Sequence, residues 1–198
     1  MNTREEMLSR MRRSQPAPVA LPELPAFARG ESAAAADFDT FAAALQRMGG
    51  KVAPAPVDGD AGAAVRTLFP DAKVICSATP EVRGTRPLDP AQPPAVLDDV
   101  DVGVVRAAFG VAETGSVLLT ETELQVEALG FLAQHLVVLL DPTKIVATLH
   151  DAYLSPAFAQ ARYAILMTGP SATADIEGVL IHGAQGIRSL TLLPHAAP

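Results

Sequence analysis

Short apolar runs rich in β-branched residues recur along this chain and alternate with stretches of helical period. That alternation restricts the folds open to it. Strands are expected at residues 51–53, 73–77, 102–105, 117–119, 136–140, 163–167 and 189–193. Runs of this kind, bounded by turn residues, suit strands covered on both faces. Between them, Phe38, Phe41, Ala42, Leu45 and Met48 fall on one face of a helix that Gly49 and Gly50 end. Further helices are expected over 62–69, stopped by Pro70, over 123–132, and over 173–182. Another is expected from Asp141 as N-cap and Pro142 at the first helical position, with Ile145, Leu149 and Ala152 inward and Pro156 at its end. The pattern predicts an α/β fold with a mostly parallel sheet and flanking helices.

Two proline-rich stretches interrupt the pattern. Pro16, Pro18, Pro22 and Pro25 follow a short helix expected over 3–13, so residues 1–30 read as a helix and an extended arm. Residues 31–198 then form one α/β domain. Pro80, Pro87, Pro90, Pro93 and Pro94 exclude regular structure from the loop after the 73–77 strand.

Composition narrows the function. A chain of 198 residues, 49% hydrophobic and 19% charged, can bury a substantial core. Its net charge of -7 argues against a nucleic-acid partner, which needs a basic patch. Arg10, Arg12 and Arg13 lie together on the first helix and read as a solvated face. No apolar run approaches the ~20 residues of a membrane span, and the first thirteen residues are charged throughout, so a cytoplasmic protein is expected. The single cysteine, Cys76, reads as a small buried hydrophobe, and it cannot supply the four ligands of an iron–sulfur cluster.

Two polar interruptions stand out. In residues 110–119, G-V-A-E-T-G-S-V-L-L, Glu113, Thr114, Gly115 and Ser116 break an apolar run. Gly115 permits close approach of backbone, while Thr114 and Ser116 can set hydroxyls around an anion. Glu113 is the candidate catalytic group, as a general base or as an acceptor orienting a 2-hydroxy acid. A plain turn whose carboxylate ties down loop amides is the alternative. In residues 167–177, M-T-G-P-S-A-T-A-D-I-E, a polar loop follows a core strand. Ser171 or Thr173 could cap the expected helix with Asp175 in its first turn, and the loop lies where open α/β sheets bind ligands.

Together these segments resemble the lactate-utilization domain family, in its lactate utilization protein C branch. The resemblance rests on A-E-T-G-S at 112–116, G-P-S-A-T-A-D-I-E at 169–177, and the ending with Val179, Leu180, Ile181, Gly183, Gly186 and the strand 190–193. It implies a fold like ribose-5-phosphate isomerase and the CoA transferases. It also implies a part in oxidising lactate to pyruvate beside iron–sulfur oxidoreductase subunits. On the reading of the two loops, Gly169, Ser171, Thr173, Asp175 and Gln185 are expected to join the first loop around a small carboxylate or other anion. The family's G-x-H-G-P ending reads Gly183-Ala184-Gln185-Gly186-Ile187 here, so Gln185 stands where the family carries histidine. The chain is also shorter than many members around residues 121–134.

His135, His150, His182 and His195 are scattered without metal-ligand spacing, and His182 is expected to meet the last carbonyls of its helix. No G-x-G-x-x-G or P-loop follows a strand. The chain is therefore expected to bind no cofactor itself and to serve as an accessory, substrate-binding component. An isomerase or CoA-transferase-like enzyme using Glu113, or a ligand sensor, stays open, as does a homo-oligomer.

Overall fold

The computed structural model describes residues 3–20, 22, 35–174 and 178–197. The chain divides into two units, Met1–Glu31 and Ser32–Pro198. In the first, helix α1 (Thr3–Arg13) has Glu5 and Glu6 in its first turn and Arg10, Arg12 and Arg13 in its last, with none of its residues buried. Charges so placed complement the helix dipole.

The second unit holds the strands β1 (Lys51–Val52), β2 (Ile75–Ser77), β3 (Val102–Arg106), β4 (Phe109–Val111) and β5 (Ser116–Thr120). They are followed by β6 (His135–Leu140), β7 (Ile145–Val146), β8 (Ala164–Met167), β9 (Ala172–Thr173), β10 (Ile181–His182) and β11 (Ser189–Pro194). Its main helices are α2 (Phe38–Arg47) and α3 (Ala61–Leu68), with short helices α4 (Glu121–Leu124), α5 (Leu129–Leu132), α6 (Leu149–Tyr153) and α7 (Pro156–Gln160).

Five strands form a sheet in the order β1-β11-β6-β3-β2, and every neighbouring pair is parallel. Side chains along its central strands alternate between two cores, as a period of two requires. Leu136, Val138, Leu140, Leu190 and Leu192 join one cluster, while Val137, Leu139, Val102 and Val104 join the other, under α3. Burial on both faces explains why these strands read as unbroken apolar runs. Cys76 is fully buried in this core.

A second sheet, in the order β7-β4-β5-β8, was not legible in the alternation. Strands β4 and β5 form an antiparallel hairpin with Val111 opposite Ser116, and β8 pairs antiparallel with β5. Helix α2 packs beside it, burying Phe41 and Leu45 completely, worth ~2 kcal/mol or more for each side chain. Asp37 caps its start by accepting from the Thr40 amide at 2.8 Å. At its end the Gly50 amide donates to the Leu45 carbonyl and the Gly49 amide to that of Gln46, both at 3.0 Å, with Gly49 at φ +85. This is the glycine-terminated Schellman arrangement.

Three expected helices take other forms. The helix expected over 173–182 is not formed as such: Thr173 pairs with Ile181 and Ala172 with His182 in an antiparallel ladder. The contact of His182 with helical carbonyls therefore does not arise, and the first turn that Ser171 or Thr173 would cap runs into residues 175–177, which lie outside the described residues. β-Branched Thr173 and Ile181 suit strands, and Gly178 adopts φ +69 between them. The helix expected from Asp141 is a turn, because the Asp141 carboxylate accepts from the Thr143 amide at 2.9 Å and its hydroxyl at 2.7 Å. Ile145 and Val146 then pair with β4, and α6 starts at Leu149 under a Thr148–Asp151 capping box. The helix expected over 123–132 is split into α4 and α5 at Gln125, whose φ is +56.

Candidate functional site

The antiparallel pairing of β5 with β8 sets Val117 opposite Met167, so the first residue of one strand meets the residue after the end of the other. Ser116, at 4% exposure, hydrogen-bonds through its hydroxyl to Thr168 and, at 2.7 Å, to Thr114. The Ser116 amide also donates to the Thr114 hydroxyl at 3.3 Å. Three hydroxyls from the two polar segments thus make one chain.

Both segments lean on the C-terminal turns of α2 through glycines. Gly115 has φ +70, and a Cβ there would lie 2.1 Å from the Leu45 amide nitrogen. Gly169 has φ +68, and its Cβ would lie 2.4 Å from the Met48 carbonyl oxygen. Only glycine allows backbone so close in this conformation. Arg47 is the last residue of α2 and Met48 its C-cap, so both lie in this seated end of the helix.

Glu113 ties the hairpin turn to the opposite wall. Its amide donates to the Ala147 carbonyl at 3.0 Å, and its Oε2 accepts from the Leu149 amide at 2.9 Å. Leu149 opens α6, where a carboxylate is favourable. Helix α6 also presents Tyr153, whose ring meets Phe158 edge-on with centroids 4.7 Å apart.

These parts enclose an open cleft of about 520 Å³. Its lining combines the polar Arg47, Glu113, Thr114, Ser116 and Thr168 with the apolar Ala44, Met48, Leu149, Tyr153 and Leu166. Arg47 has no carboxylate partner among the described residues. A guanidinium beside hydroxyls can hold a small carboxylate and hydrogen-bond a polar group next to it. Among the described residues no three His, Cys, Asp or Glu side chains gather as a metal site.

Of the remaining sequence candidates, those among the described residues are absent from the lining of this cleft. The Ser171 amide donates to the Ile187 carbonyl at 3.0 Å, and its carbonyl accepts from the Gly183 amide at 2.7 Å. Thr173 belongs to the β9–β10 ladder, and Gln185 is exposed in the turn before β11. Asp175 lies outside the described residues. Sequence reasoning missed Arg47, Tyr153 and Thr168. Thr168 had a signal, as the first polar residue after an apolar strand; Arg47 and Tyr153 had none, since tertiary packing brings them in. The site also differs from expectation in lying on the antiparallel sheet and not at the carboxyl ends of the parallel strands.

Among the described residues no helix is long and apolar enough to cross a membrane. No curated protein matches the chain. A solved structure, that of a DUF162 family protein from Deinococcus radiodurans, is similar with a TM-score of 0.62 over 79% of this chain and 94% of that one, at 16% identity. That likeness concerns the fold, an α/β architecture with a mostly parallel central sheet. The LUD domain family matches residues 95–193, from just before β3 into β11 and therefore across both polar segments. With half of its length in that match, this chain belongs to the LUD domain family.

Proposed function

We propose that this protein is an accessory, substrate-binding component of a lactate-utilization system, holding a small carboxylate for iron–sulfur partner proteins that take up the electrons. The LUD domain is associated with lactate utilization. The observation that carries the reading is the placement of Arg47, without a carboxylate partner among the described residues, in the same cleft as the Thr114–Ser116–Thr168 hydroxyl chain. Arg47 binds the carboxylate, and the hydroxyl chain with the Glu113 carboxylate takes the 2-hydroxyl. Oxidation of lactate to pyruvate releases two electrons, for which this chain offers one buried thiol and no dinucleotide fingerprint. The carriers therefore belong to the partners, and the chain binds no cofactor of its own.

Glu113 serves in this reading as a positioning group, because one of its oxygens already holds the Leu149 amide. A thermal-shift screen against L-lactate, pyruvate, sugar phosphates and acyl-CoA esters tests the assignment. Stabilisation by the two carboxylates alone is expected. Stabilisation by sugar phosphates or acyl-CoA instead would favour an isomerase or CoA-transferase-like enzyme and overturn it.

A further inference from the structure

The cleft is larger than lactate needs. A three-carbon acid occupies at most about 180 Å³, even if each of its non-hydrogen atoms is given the volume of a water in the liquid, against the cleft's 520 Å³. Leu149, Leu166, Met48 and Tyr153 share the lining with Arg47 and the hydroxyls, the last two 55% and 54% exposed. Exposed apolar side chains converging on a cleft favour a ligand that removes them from water. Tyr153 is also held in place by its edge contact with Phe158, so its ring is a preformed wall rather than a loose surface group.

We infer that the cleft takes 2-hydroxy acids with side chains larger and more apolar than a methyl group, the branched-aliphatic and aryl 2-hydroxy acids being its preferred class. The inference rests on the carboxylate-binding reading. It adds a chemical division of the cleft. The carboxylate and 2-hydroxyl lie at Arg47 and the hydroxyl chain, while the side chain lies against Leu149, Leu166 and Tyr153. Each methylene moved out of water improves binding about fourfold, the equivalent of ~0.8 kcal/mol.

Calorimetric titration of the full chain with L-lactate, 2-hydroxyisocaproate and phenyllactate tests it. Affinity should rise in that order, with at least a tenfold gap between the first and last. Tyr153→Ala, a change at a half-exposed position, should weaken phenyllactate at least tenfold more than lactate and so bring the two affinities close together. Lactate binding as tightly as phenyllactate, or Tyr153→Ala weakening both equally, would overturn the inference and leave the carboxylate reading standing. Failure of all three acids to bind would sink that reading and the inference with it.

Discussion

Gly115 in the β4–β5 turn and Leu45 in α2 approach so closely that a Cβ on the glycine would lie 2.1 Å from the Leu45 amide nitrogen. This contact seats the A-E-T-G-S turn on the helix that brings Arg47 to the cleft. Gly115→Ala meets both a backbone clash and a left-handed φ, and should cost about 3 kcal/mol or more. Gly59 is the internal control: its φ is +73, yet nothing lies within 4 Å of its Cβ position. Gly59→Ala should therefore cost only the conformational strain, about 1 kcal/mol. Thermal melts of the two variants followed by circular dichroism compare them. Equal losses would mean that the glycine is needed for its dihedral angles and not for the helix contact.

Replacing Glu113 with Gln separates charge from hydrogen-bonding shape. The amide oxygen of Gln can still accept from Leu149, so the melting temperature should fall by no more than a few degrees. The charge that repels an incoming carboxylate is lost, but so is the stronger acceptor for a 2-hydroxyl. Lactate binding should weaken by about tenfold, the usual worth of one charge-assisted hydrogen bond. Unchanged lactate affinity in a stable Glu113→Gln protein would confine this residue to holding the turn.

His135 gives the fold a pH dependence whose sign is fixed. Its ring hydrogen-bonds the Ser189 hydroxyl at 2.8 Å and packs on Phe69 with centroids 5.0 Å apart. Burial first, then the nearby Arg188 and Lys51 cations, hold the imidazole below its ordinary value of 6.5. The unfolded chain then binds more protons than the folded one as pH falls through that value, so the contribution present at neutral pH is lost on acidification. The melting temperature should drop between pH 7.5 and 5.5, and His135→Gln should flatten that drop. Parallel curves for the two proteins would remove His135 from the account.

The parallel sheet was readable because β3, β6 and β11 are buried on both faces and so keep unbroken apolar runs. The end of α2 was readable because Gly49 and Gly50 have the conformational freedom that the Schellman closure needs. The segment at 173–182 misled because apolar residues recurring every three or four positions suggest a helix, whereas its described ends, Thr173 and Ile181, pair as strands, a choice that periodicity cannot make in so short a segment. The Asp141 turn misled because an aspartate before proline caps helices and closes Asx turns alike, and the Thr143 contacts select the turn. In the site, Glu113, Thr114 and Ser116 were legible as polar residues breaking an apolar run. Arg47 and Tyr153 were not, because each belongs to an ordinary helix pattern and reaches the cleft only through packing between distant segments.

In the proposed function, Arg47 anchors a carboxylate in the cleft that Ser116 and Thr168 also line. Arg47 also lies in the last turn of α2, where a cation suits the helix dipole, so a purely structural role has its own signature in the melting temperature. Calorimetric titration of L-lactate into the parent chain and Arg47→Gln, with melts of both, decides between them. Loss of a charge-assisted bidentate contact should weaken lactate binding by roughly 10- to 150-fold, with the melting temperature nearly unchanged. Equal lactate affinity in the two proteins would contradict the account.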